Sequence, residues 1–327
     1  MRRSNGKVIQ SNRIRSSFAS HDMTKEKQYR VLFRWWRQLS LLIVFFLLVV
    51  LQVTAVLSFP DTGKTLSEKL DALKKIEGGF TFAVIGDNRA GKSYDDIYRE
   101  LIAQAMKHNL DFMVHTGDMI RSPKEEYWEH FKAISKAVTV PYFFVVGNHD
   151  VEDKKSEGFY KKRLDLPGNE LYYSFPVGDS LFIVLDSKLP GQNHKVIAEQ
   201  YEWLKGVLSS SGNEHKFVFI HHPLFPDKGR GHHYGESLDK FPKERDRLHA
   251  LFIKHKVTMV FQGHEHLYLR NTVNGITYII SGGGGSPLYA EESNGGFHHF
   301  VLVTVDGDTV SGKVIDSQGT VRDTFTL

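Results

Sequence analysis

From residue 80 onward the chain alternates short apolar runs with amphipathic segments, and the pattern changes halfway along. Residues 80–85, 111–115 and 141–146 are near-continuous apolar runs, each followed within two residues by Gly. Runs of this kind predict strands covered on both faces. Between them, residues 94–108 carry Ile97, Leu101, Ile102, Ala105 and Met106 at helical spacing, and residues 125–138 do so with Tyr127, Trp128, Phe131 and Ile134. Later segments predict strands over 171–176, 180–185, 216–220, 257–262, 268–273, 276–281, 297–305 and 309–315, with helices over 199–209 and 243–255. Asn274-Gly275 and Asp306-Gly307-Asp308 supply tight turns between strands. Residues 156–170 and 226–242 are the longest polar stretches without periodicity, and loops of that length in a compact domain are often functional. Helices between strands early and meanders later predict an α/β fold of two packed sheets with helices on their outer faces.

The N-terminal quarter behaves differently. No charged residue occurs from Gln38 to Pro60, and residues 39–59 are interrupted only by Ser40, Gln52, Thr54 and Ser58. As a helix this segment spans roughly 30 Å, the thickness of a bilayer's hydrocarbon core. Arg30, Arg34 and Arg37 precede it, with Trp35 and Trp36 at the interface position, so the expected orientation keeps the tail inside and exports the rest. The expected organisation is a basic tail at 1–38, a transmembrane signal anchor at 39–59, a spacer at 60–77 and a folded domain at 78–327. A cleaved signal peptide ending near Val53-Thr54-Ala55 is the rival reading, and it also exports the domain. Within the spacer, Leu66, Leu70, Leu73 and Ile76 recur at helical spacing and predict a short helix packed on the domain edge.

Charge changes this picture in one respect. The formal net charge is +4, but residues 1–38 alone hold ten Lys/Arg against two Asp/Glu. The folded body is therefore mildly acidic and carries no basic nucleic-acid footprint. The chain has no Cys, which excludes disulfide frameworks, thiolate metal sites and thiol nucleophiles.

Five segments bring metal-ligand side chains just after apolar runs: Gly86-Asp87-Asn88-Arg89, Gly117-Asp118, Gly147-Asn148-His149-Asp150, His221-His222-Pro223 and Gly263-His264-Glu265-His266. Taken singly these are weak signals, since Asp87 or Asp118 serves equally well as a turn or N-cap residue. Together they offer oxygen and nitrogen donors suited to two divalent cations, with a carboxylate available to bridge. Strand ends are rigid and loops leave the site open, so such positions suit catalysis.

The order of these blocks resembles that of the calcineurin-like metallophosphoesterases, over roughly residues 80–305. The resemblance implies an αββα sandwich with a two-metal site, the ions being Mn, Fe, Zn or Co. It implies that Asp87 and His266 bind one metal, that Asp118 bridges, and that Asn148, His221 and His264 bind the other. It gives His149 contact with the phosphate and the general-acid role, with Asp150 orienting it. His222 stands beside the ligand as a substrate group, a supporting group or a plain loop residue. The chain departs from the family at Arg89, where the pattern has His, and the Tyr that purple acid phosphatases carry three residues after the bridging Asp is here Arg121. Arg89 suits a guanidinium clamp on phosphate or a structural ion pair.

The function expected is metal-dependent hydrolysis of phosphate mono- or diesters by a hydroxide shared between the metals, outside the cytoplasmic membrane. The alternative is a membrane-tethered protein that binds phosphate or metal without turnover. No Gly-x-Ser-x-Gly precedes a helix, and Gly282–Gly285 runs into Ser286-Pro287 rather than Lys-Ser/Thr, which sets aside serine-hydrolase and P-loop readings. That glycine run reads either as a close backbone approach near the site or as a flexible loop. The basic and aromatic segment 228–234 suits an anionic substrate, and only one of His298 and His299 can face the site from a strand.

Overall fold

The computed structural model describes residues 65–91 and 95–327. The basic tail and the apolar segment at 39–59 lie outside the described residues. Among those described, no helix is long and apolar enough to cross a membrane.

Helix α1 (Leu66–Leu73) begins at a reciprocal cap: Glu68 N–H donates to Thr65 Oγ1, and Thr65 N–H to the Glu68 carboxylate. Its Leu73 is buried in the main core, so this part of the spacer docks on the domain. Three strand–helix repeats follow: β1 (Phe80–Ile85), α2 (Asp95–Ala105), β2 (Phe112–His115), α3 (Glu125–Ile134), β3 (Tyr142–Phe144) and α4 (Lys154–Arg163). Then come β4 (Tyr173–Val177), β5 (Ser180–Leu185), α5 (Ala198–Ser210), β6 (His215–Ile220), α6 (Pro242–Lys254) and β7 (Met259–Gln262). The chain closes with β8 (Tyr268–Val273), β9 (Ile276–Ser281), β10 (His299–Asp306), β11 (Thr309–Asp316) and β12 (Val321–Thr326).

The strands form two six-stranded mixed sheets, ordered β12-β11-β10-β1-β2-β3 and β4-β5-β6-β7-β9-β8. In the first sheet β1, β2 and β3 run parallel out to one edge and the remaining pairings are antiparallel; in the second the four middle strands are parallel and the two outer ones antiparallel. Side chains alternate across each strand. In β5 and β6, Phe182, Val184, Phe217 and Phe219 face the first sheet, while Ile183, Leu185, Val218 and Ile220 pack under Leu204 and Leu208 of α5 and Leu248 and Phe252 of α6. Both faces are thus buried, which is why these strands read as continuous apolar runs. The layer between the sheets is aromatic: Phe182 meets Phe82 edge-on at 5.2 Å, Phe112 edge-on at 5.0 Å and Phe217 stacked at 5.0 Å.

Two features differ from the sequence expectation. The first half of 156–170, read as irregular, belongs to α4; its segment KKSEGFYKKR has almost no apolar periodicity and buries a single large ring, Tyr160. Its start is written instead in a cap, where Asp153 and Ser156 exchange hydrogen bonds. Strand β12 was not anticipated either: it is an edge strand with Phe325 as its one buried side chain.

Candidate metal centre

Strands β1, β2 and β3 of one sheet and β6 and β7 of the other end at a common edge, and each is followed by one of the five ligand segments. Binding outside the carboxyl ends of parallel strands is the general habit of such sheets. The connections turn sharply: Asp87, Asp118 and His264 all have positive φ, at 62°, 58° and 70°. Non-Gly residues held there are costly and cluster at functional sites. Backbone bonds brace the turns, with Asp87 N–H on Gly117 O and Arg89 N–H on Asp118 O, both at 3.0 Å. Gly147 is required by space, because a Cβ there would overlap the Asp118 backbone.

Asp118 lies at the centre. Its Oδ1 accepts His149 N–H at 2.9 Å and faces His221 Nε2 at 3.4 Å. Its Oδ2 accepts Arg89 Nε–H at 3.2 Å and lies 3.8 Å from His149 Nε2. Burial alone would raise its pKa, but the Arg89 guanidinium and the His149 N–H bond are among the groups that outweigh burial and hold it low. Asp87 is also fully buried; burial and the Asp118 charge push its pKa up, while His264 N–H donates to both its oxygens at 3.0 and 3.1 Å.

The imidazoles are set up as lone-pair donors. His221 Nδ1–H donates to Thr116 O at 2.9 Å, which leaves Nε2 as an acceptor only 3.0 Å from Asn148 Oδ1. His266 Nδ1–H donates to Pro287 O at 2.7 Å, and its buried Nε2 has no partner among the described residues. Neither ring nitrogen of His264 has one either. Burial lowers the pKa of His221, of His264, and of His266 to about 3, so all three are neutral at physiological pH. His221, His222 and His264 offer ligand atoms within 4.8 Å of one another, as do Asp87, Asp118 and His221. Buried acceptors facing one another without a donor fit a divalent cation, and neutral imidazoles with carboxylates are the donor set that borderline cations take.

His149 is the partly open member of the group, with its side chain 29% exposed. The Arg121 carbonyl takes its Nδ1–H at 2.7 Å, so Nε2 is the nitrogen left toward the site. Asp150 corrects the expectation of a catalytic partner. It is fully buried, and its two oxygens accept the backbone N–H groups of Gly147, Asp118, Met119 and Ile120 at 2.8–3.3 Å. It shapes the Asp118 turn, and the carbonyl of Arg121 orients His149 in its place.

Several supporting groups escaped the sequence reading. Ser187 Oγ shares a hydrogen bond with His222 Nδ1 at 2.7 Å and holds that ring beside His264. Glu265, between two ligands, accepts the N–H groups of His232 and His233 at 2.7 and 2.8 Å. That tie brings segment 228–234 over the site, with the His233 ring 4.3 Å from His264. Tyr289 stacks on His266 at 4.1 Å. The glycine run is a close approach: Gly284 N–H bonds Gly86 O at 2.8 Å and Ser286 N–H bonds Asp87 O at 3.0 Å. His298 and His299 pack around Gly283 and belong to neither ligand cluster.

The calcineurin-like phosphoesterase family model matches residues 80–268, and the chain belongs to that family. It is 30% identical over 206 residues to purple acid phosphatase 21 of Arabidopsis thaliana, covering 58% of this chain and 44% of the relative. It is 27% identical over 166 residues to a probable glycerophosphodiester phosphodiesterase of Arcobacter nitrofigilis, covering 49% of this chain and 58% of that protein. The chain thus spans about half the length of the curated relatives it matches. Among solved structures, the purple acid phosphatase PPD1 from yellow lupin (Lupinus luteus) seeds superposes with a TM-score of 0.65 at 20% identity, over 77% of this chain and 54% of that one. This likeness is one of fold.

Proposed function

We propose that the chain hydrolyses phosphate mono- or diesters at a divalent-metal centre formed by Asp87, Asp118, Asn148, His221, His264 and His266. The observation that carries this reading is a cluster of acceptors without donors: the His264 ring, neither of whose nitrogens has a partner among the described residues, Nε2 of His266, and the facing pair His221 Nε2 and Asn148 Oδ1. A bound cation supplies Lewis acidity there, polarising the phosphoryl group and lowering the pKa of an attacking water. His149 holds a proton at Nε2 on the open side, where it reaches a leaving-group oxygen. Arg89, with its side chain 21% exposed, presents the remainder of its guanidinium to the phosphate's anionic oxygens. His233, tilted against His264, and Tyr289, stacked on His266, narrow the access to solvent. The relatives named as a phosphatase and a probable phosphodiesterase support the reaction class without choosing between mono- and diesters.

The apolar segment 39–59 and the basic residues before it support placing the domain outside the cytoplasmic membrane, tethered or released by cleavage. Protease accessibility in intact cells tests that placement. For the chemistry, His149→Ala is expected to lower kcat by roughly 10²–10⁴-fold on p-nitrophenyl phosphate or its diester while metal content stays intact. Loss of metal in that variant would remove His149 from the acid's role. The second reading, binding without turnover, is favoured by one observation, the Arg89 ion pair on Asp118.

A further inference from the structure

We infer that this chain holds one tightly bound divalent cation rather than two, and that the Arg89 guanidinium stands as a fixed positive charge where the first metal would sit. The inference rests on the metal-centre reading above and narrows it. A carboxylate bridges two cations by turning one face to each, and here the two faces of Asp118 differ. Oδ1 points to the imidazole half, 3.4 Å from His221 Nε2, where Asn148 Oδ1 and the unpartnered His264 ring complete a donor set. Oδ2 is engaged by Arg89 Nε at 3.2 Å. The backbone of Arg89 is anchored beside Asp118 as well: its φ is 46°, and its N–H bonds Asp118 O at 3.0 Å, so the side chain always starts from this turn.

A guanidinium keeps all its protons and has no lone pair to offer a metal, whereas a neutral imidazole at the same position has one. It also repels any cation placed within a few ångströms of it in a poorly screened site. The donors left on that side are Asp87 and His266, whose facing atoms Oδ1 and Nε2 lie 3.7 Å apart. Asp87 is already committed to the His264 N–H through both oxygens. One charged residue thus replaces a ligand and, at the same time, occupies the bridging oxygen. Phosphate entering the site then meets a metal on one side and a guanidinium on the other, an arrangement suited to an anion with two equatorial oxygens to place.

The test is metal stoichiometry. The protein is stripped with chelator and titrated with Zn²⁺ or Co²⁺ alone by calorimetry, with metal content checked after equilibrium dialysis. The wild-type chain is expected to take up one tight equivalent. Arg89→His is expected to take up two, and Arg89→Gln to tighten the second equivalent at least ten-fold. His264→Ala is expected to lose the single tight equivalent, with thermal unfolding confirming that each variant is folded. Two equivalents of similar affinity in the wild type, or a single equivalent persisting in both Arg89 variants, would overturn the inference. A wild type that binds one ion and hydrolyses no ester would instead sink the proposed function and leave the stoichiometry standing.

Discussion

At the scale of single residues, Asp150 and His115 show how much of this site lies behind its ligands. Asp150 gathers four backbone N–H groups from two segments and so fixes the turn that carries Asp118. Asp150→Ala strands those donors in a buried place, and each unmet buried donor costs about 1–3 kcal/mol. Denaturant unfolding should therefore show a loss of several kcal/mol together with weaker metal binding. A variant that unfolds like wild type would refute the bracing role. His115 sits one turn earlier, with Nδ1 accepting Gly117 N–H at 3.1 Å and Nε2–H on Asn88 Oδ1 at 2.9 Å. The bond from Gly117 needs the neutral ring, since protonation removes the Nδ1 lone pair, and burial lowers its pKa from 6.5 to about 3. Its contribution to stability is thus complete above pH 6.5 and is lost progressively as pH falls toward about 3. Metal-free protein should lose stability through that window, by an amount on the order of a few kcal/mol at the acid end. His115→Gln should give a shallower slope, and an equal slope would remove His115 as a source. The six candidate ligands were legible in the sequence because each lies within a few residues of the end of an apolar strand. Asp150's true partners were not, because a carboxylate beside a His looks the same whether it faces that ring or the backbone of a neighbouring loop. Tyr289, Ser187 and Glu265 were equally hidden, since only the packing of the two sheets brings them to the ligands.

Elements were legible in proportion to what they bury. β1, β5, β8 and β9 fall on the residues expected of them, and α2, α3, α5 and α6 lie within a few residues of theirs, because each presents a clear apolar run or stripe. α4 was missed since its helix is polar on nearly every face and begins from a cap rather than a stripe. The inter-sheet layer permits a direct check of the packing account. Phe182 contacts rings from both sheets, including Phe82, Phe112, Phe175 and Phe217. Phe182→Ala should cost about 3–5 kcal/mol in chemical unfolding. A loss below about 1 kcal/mol would mean that the layer relaxes into the space and that the two sheets are not held by these rings.

For the whole molecule, two sheets aligned by an aromatic layer bring five strand ends to one edge, and the chemistry depends on that convergence. No single sheet holds a complete donor set: Asp87, Asp118 and Asn148 come from one, His221, His264 and His266 from the other. Metal binding should therefore stabilise the pairing of the sheets, and the melting temperature should rise with metal concentration as for any ligand of the native state. The most direct measurement is hydrolysis of p-nitrophenyl phosphate and bis-p-nitrophenyl phosphate by protein stripped with chelator, then resupplied with Mn²⁺, Fe²⁺, Co²⁺ or Zn²⁺. The expected result is no turnover when stripped, turnover on return of at least one of these ions, and none in His264→Ala. Turnover that persists without metal, or its absence with every ion and both esters, would contradict the account.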